Sequence, residues 1–371
     1  MIANSIPTRA RLPLMALAIL ALLAALWAGL LRMGWAFPPI VPTLPGVHGP
    51  LMVAGFLGTL ISMERAVALG MRWTYAAPLF SALGALILIA GVAPAVGAVL
   101  VTLGSAGMVA IFAFIVRRQT VLFTITMAIG AVCWLIGNAV WLVGFPIFRV
   151  VLWWTAFLVL TIVGERLELS RLLRLSRWTE TLFVLAIGVF LVGLVVDSAE
   201  GLLIPSTGSG IGARVAGIGM IALALWLLRY DIARRTVRQT GLTRFIALSL
   251  LAGYAWLLIG GLLRVVIGGA ASGAQYDAIL HTVFLGFVFS MIFGHAPIIL
   301  PAVLGRGLTY SPIVYAHLAL LHLSLVLRVA GDLGGALALR QWGGMFNVIA
   351  VLLFLFSTAR ALRAGGRTAL G

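Results

Sequence analysis

Five histidines stand among the 371 residues of the chain, and each falls in or at the edge of an apolar stretch: His48, His281, His295, His317 and His322. An ionisable side chain inside hydrocarbon is costly and usually functional, so these imidazoles are the first candidates for ligating a metal. The plainer use is a satisfied hydrogen bond between two helices. His48 opens the segment 48–69, with Pro50 in the first helical turn, where a missing N–H costs nothing. At about 100° per residue, Met52, Gly55, Thr59 and Ser62 share its face. Much of that face is small, which suits a flat ligand or, equally, the close approach of a second helix.

In "HTVFLGFVFSMIFGHAPIILP" the helical wheel puts His281 and His295 about 320° apart and roughly 21 Å apart along the axis. They share a face but cannot hold one ion. His317 and His322 diverge by about 140° and cannot both face one site squarely. Arg264 in "LLRVV" and Arg328 in "LVLRVA" lie near the ends of neighbouring segments. Their fork geometry suits a carboxylate, although arginines at such positions also snorkel to the interface. Glu64 and Glu165 close two similar segments, "SMERAVAL" and "VGERLELS". Together with His295 they would form a second polar or metal cluster, to which His317 lies near; otherwise each glutamate pairs with its adjacent arginine.

The elements that must position these groups are apolar. Hydrophobic residues make up 63% of the chain and charged residues 9%, with a mean hydropathy of +1.19. That is an integral membrane protein, with too few polar residues for a sizeable soluble domain. Segments of about 20 apolar residues occur twelve times, at 12–31, 48–69, 74–93, 96–116, 121–143, 147–168, 178–197, 211–229, 245–268, 277–300, 312–331 and 343–362. The fold class is therefore all-α, a single transmembrane domain over 1–371. The first segment follows Arg9 and Arg11 and has no clear cleavage site, so it reads as a retained helix. The net charge of +16 comes from 25 arginines and no lysine against nine acids. On a membrane protein such a balance points to anionic lipid and not to nucleic acid. Nineteen of the arginines fall on one set of alternate loops, shared with both termini, which the positive-inside rule places in the cytoplasm of a bacterial inner membrane. Cys133 is the one cysteine and reads as packing.

The chain also resembles itself. "WAGLLR" (27–32) is matched by "IGGLLR" (259–264), and "WLIGNAVW" (134–141) by "WLLIGG" (256–261). Three pseudo-repeats of four helices follow, approximately 1–118, 119–240 and 241–371.

Twelve spans in three groups of four, with "HGPLM" opening the second, resemble subunit I of the haem–copper oxidases. That resemblance implies that His48, followed by Met52, is an axial ligand of haem b, and that His281 supplies the other. Arg264 and Arg328 would hold propionates, and His322 would lie near the haem by depth. Spans 6 and 7 contain no histidine and span 10 has no His-x-His pair, so the copper-containing oxygen-reducing centre is not expected. The C-terminal third is similar to the NnrS family of haem proteins linked to nitric oxide: a histidine-led span 10, "GH" at 294–295, "GR" at 305–306 and "LRV" in span 11. The resemblance implies a redox or nitric-oxide-related role, with a quinol or cytochrome donor, or nitric oxide, as partner, and copper as a second metal. The rival expectation is a twelve-span secondary transporter without haem, because repeats and twelve spans describe many permeases.

Overall fold

A long apolar segment can satisfy its main-chain donors and acceptors away from water only by closing them on itself, as a helix does. The computed structural model describes residues 6–170, 173, 175–203 and 210–368, and among these there is helix and turn but no strand. Among the described residues twelve helices are long and apolar enough to cross a membrane. They are α1 Thr8–Arg32, α2 Leu44–Leu69, α3 Arg72–Ala90, α4 Pro94–Arg118, α5 Leu122–Leu142 and α6 Ile147–Ser170, then α7 Arg177–Leu202, α8 Ile211–Tyr230, α9 Gly241–Ile267, α10 Gly273–Leu304, α11 Val314–Gly334 and α12 Leu337–Ala364. Each apolar segment read from the sequence overlaps one of them. The chain is a multi-pass, all-helical membrane protein.

The helices form two compact units, Met1–Phe157 with Ile299–Arg306, and Leu158–Ile298 with Gly307–Gly371. Within each, glycine sets the packing. Lipid tails are as apolar as leucine, so helices gain little by burying side chains on one another and gain more by bringing backbones close. In the first unit Gly84 of α3 lies against the main chain of Gly97 and Val101 in α4, and Gly104 lies against Ser81 in return. In the second, Gly193 of α7 meets the backbone of Ala216, while Gly212 and Gly219 of α8 meet that of Asp197 and Phe190. Gly331 of α11 and Gly343 of α12 likewise rest on the main chain of Arg340 and Arg328.

Two helices depart from α geometry. Leu51–Gly58 in α2 and Thr282–Phe289 in α10 are π-helical, so their hydrogen bonds close one residue further on than in an α-helix. Pro50, just before the first, withdraws a donor from the ladder. Beyond the notch in each helix a serine hydroxyl donates back to a glycine carbonyl, Ser62 to Gly58 and Ser290 to Gly286. Both glycines are notches for tryptophan: Gly58 faces Trp134 of α5 and Gly286 faces Trp256 of α9.

Candidate functional site

His48 stands at the head of α2, after the 3-10 turn Leu44–Val47. Its Nδ1 is 2.7 Å from the carbonyl oxygen of Ala25 in α1. A carbonyl only accepts, so Nδ1 carries the proton and the neutral ring presents the lone pair of Nε2. The ring is seated on Gly29, one turn further along α1, where a Cβ would stand 3.1 Å from Cε1. The small face read beside His48 is filled by neighbouring helices: Gly55 is pressed between Ala21 and Ala85, and Thr59 and Ser62 are fully buried. Met52 is also buried.

In the second unit His281 sits at the end of the first α-helical part of α10, immediately before the π stretch. Its Nδ1 donates to the carbonyl of Asp277 at 2.9 Å and lies 3.2 Å from that residue's carboxylate. Its Nε2 faces Nη2 of Arg328 at 3.3 Å. A guanidinium only donates, so in this contact Nε2 is the acceptor and Nδ1 carries the proton. Arg328 is itself clamped on Asp277 by two bonds, Nε to Oδ2 at 2.7 Å and Nη2 to Oδ1 at 2.8 Å. Arg340 of α12 adds an ion pair to Asp332 at 2.9 Å and approaches Asp277 at 3.8 Å. Arg328, read as a propionate anchor, thus already holds a carboxylate of the chain itself. Asp277, Asp332 and Arg340 are the participants that sequence reasoning missed. Asp277 was open to discovery, since it precedes His281 by one helical turn, the spacing at which side chains meet.

His295, at the other end of α10, repeats the arrangement with different residues. Its Nδ1 donates to the Met291 carbonyl at 2.7 Å and its Nε2 accepts from Nη1 of Arg166 at 3.0 Å. Arg166 donates through Nε to Oδ2 of Asp231 at 2.9 Å, and both side chains are almost wholly buried. Tyr254 lies against this pair. Each end of α10 therefore carries an imidazole backed by a guanidinium that an aspartate holds in place. Glu165 lies within electrostatic reach of Arg166, and Glu64 pairs with Arg65 at 3.8 Å. Among the described residues no three of His, Cys, Asp and Glu come together as a metal would require, so the second metal cluster has no donor set there.

His317 is a packed core residue, with Phe245, Phe293 and Phe354 around it at ring distances of 6.0, 4.8 and 5.5 Å, all edge to face. Its Nδ1 is 3.3 Å from the Ser357 hydroxyl. His322 accepts from the indole N–H of Trp256 at 3.0 Å through Nδ1, so its proton is on Nε2. The Nε2 atoms of both rings are buried with no hydrogen-bond partner among the described residues. Arg264, near the end of α9, is buried with its Nε equally without an acceptor, and Asp197 is within electrostatic reach.

Haem requires an imidazole with Nε2 deprotonated and Nδ1–H tied to an acceptor that fixes its tautomer and orientation. His48 and His281 both meet that description, each through a main-chain carbonyl. His281 meets it with a competitor, the long contact from Arg328. The residues fit the group.

A family model described as a domain of unknown function (DUF8744) matches residues 11–363. No curated protein matches the chain.

Proposed function

The chain belongs to the DUF8744 family, whose description gives no activity, and we propose from its own residues that it is a b-type haem protein of the bacterial inner membrane. The observation that carries this reading is the Nδ1 tautomer of His48 and His281, which His295 shares. In His48 and in His281 a main-chain carbonyl takes the Nδ1 proton and fixes the orientation of the ring, the outer-shell pattern of an iron-bound histidine. His48 and His281 would hold haem in this proposal, and Arg264 would supply a buried donor for a propionate. Bound haem would supply one-electron chemistry. The chain's own part is to fix the imidazole protons, exclude water and neutralise the carboxylates. Ligation by two histidines would favour electron transfer from a quinol or cytochrome; binding of nitric oxide would use a displaceable ligand.

The twelve helices, in this proposal, form three groups of four as in haem–copper oxidase subunit I and the NnrS family. Two recurrences support the grouping. Pairs built on glycine occur at α3–α4, α7–α8 and α11–α12, four helices apart, and also at α8–α9 through Gly217 and Gly261. The glycine notch filled by tryptophan, followed by a serine back-bond, recurs in α2 and α10. Both termini lie in the cytoplasm on the arginine-rich side.

The test is haem per polypeptide, with the reduced-minus-oxidised spectrum, in purified protein. His48→Ala and His281→Ala are expected to lose most of the low-spin signal while still inserting, and His317→Ala to keep it. A colourless wild-type protein, or full occupancy in His48→Ala, rejects the proposal.

One observation favours a second reading, a twelve-span secondary transporter without haem. The ion pairs Asp277–Arg328 and Asp332–Arg340 lie in helices that cross the membrane, where charged groups commonly mark a transport path. Protein that is colourless but drives uptake into proteoliposomes would shift the conclusion to that reading.

A further inference from the structure

We infer that the cavity beside the α8–α9 connection is a binding site for the phosphate head group of an anionic phospholipid. The cavity has a volume of about 550 Å³, and Arg229, Arg234, Arg235 and Arg238 line it together with Asp231 and Thr179. The local fold brings these arginines together. Helix α8 ends at Tyr230, and Asp231 takes an extended conformation and accepts from the Ala233 amide at 2.7 Å, starting the short helix Ala233–Thr236. That turn carries Arg234, Arg235 and Arg238 back over the end of α8.

The charge in the cavity is not compensated from within. Asp231 is buried, and its carboxylate is already taken by Arg166 and the Ala233 amide. Among the described residues none of the four arginines has a carboxylate partner. Arg229 lies over the Tyr230 ring at 5.2 Å, and Arg234 reaches only the Arg229 carbonyl, at 3.4 Å. Four guanidinium groups around one space repel one another until an anion enters. Phosphate matches them best, since each fork can offer two N–H groups to two of its oxygens.

The surroundings point to a lipid and not to a soluble phosphate ester. The cavity lies at the ends of two membrane-crossing helices. Trp178, in the first turn of α7, is 67% exposed, as aromatic residues at the head-group level are. Further along the same two helices Val184, Leu185 and Leu225 are exposed, as lipid-facing side chains are. A basic pocket at the ends of such helices suits the head group of an anionic lipid. This inference is independent of haem.

Native mass spectrometry of the delipidated protein, titrated with phosphatidylglycerol or with phosphatidylcholine of the same acyl chains, tests it. Phosphatidylglycerol is expected to be retained preferentially. Neutralising an arginine near a phosphate costs roughly fivefold in affinity, so Arg235→Gln with Arg238→Gln should lower retention about twenty-five-fold. Should that pair of changes prevent folding, Arg235→Gln alone gives the fivefold step. Arg117→Gln with Arg118→Gln, which alters two exposed arginines that do not line the cavity, is expected to leave retention unchanged. Equal retention of the two lipids, or undiminished retention in the Arg235 and Arg238 variants, overturns the inference. So does binding of inorganic phosphate to lipid-free protein that displaces phosphatidylglycerol, which would make this a site for soluble phosphate.

Discussion

Replacing Gly58 by alanine probes the packing of α2 directly. The added methyl would stand 2.5 Å from Cη2 of Trp134 and 3.2 Å from its Cε2, where carbon atoms need about 3.5–4.0 Å. Trp134 has no room to yield, being fully buried and stacked on Phe157 with ring centroids 4.7 Å apart and planes within 8°. Helix α2 or the indole must recede by about 1 Å, and overpacking of this kind costs about 1–3 kcal/mol. Alanine's better helix propensity returns at most about 1 kcal/mol, so net destabilisation is expected. The assay is built into the chain. Cys133, adjacent to Trp134, is the one thiol and is 2% exposed. A fluorogenic thiol reagent in a thermal ramp therefore reports the opening of this unit without an added label. Gly58→Ala should react several degrees below wild type, and Gly46→Ala, whose methyl meets nothing within 4 Å, should match wild type. An unchanged or raised transition in Gly58→Ala refutes the close approach of α2 to Trp134.

The remaining expectations concern charge and orientation. Arg166→Ala leaves the Asp231 carboxylate buried without its partner, a loss expected to cost about 3–5 kcal/mol and measured as a fall in folded yield by size-exclusion chromatography; a normal yield would show the pair to be dispensable. Reporter fusions after Arg118 and Arg235 are expected to give cytoplasmic signals, and a periplasmic signal at either reverses the proposed orientation. Membranes enriched in the protein should show no added cyanide-sensitive oxygen uptake with quinol, since α6 and α7 carry no histidine; uptake at oxidase rates would contradict the proposal.

The twelve helices were legible because apolar runs of that length have few alternatives in a membrane, and glycine and proline punctuate them. The pairing of Glu64 with its neighbour Arg65 was equally legible, being local. The surroundings of the histidines were less so. A wheel of about 100° per residue loses its phase across Leu51–Gly58 and Thr282–Phe289, because π-helical bonds close one residue later. The small residues of α2 were found, but what fills the space beside Gly55, Ala21 and Ala85, lies on other helices. Asp231 meets Arg166 from 65 residues away, and no spacing within one helix announces such a pair. Asp277 did carry a local signal, one turn before His281, but its partners Arg328 and Arg340 lie on other helices.

The contact between α7 and α8 has a mechanical consequence. At Gly193, Gly212 and Gly219 the two helices touch backbone to backbone, with no side chain between them. A joint made this way has no rotamers to exchange. Sliding either helix along the other would drive a side chain into main chain, which cannot yield. The pair therefore behaves as one rigid spar. Any movement within the second unit must be taken up where helices meet through flexible side chains, and the spar fixes the frame against which that movement is measured.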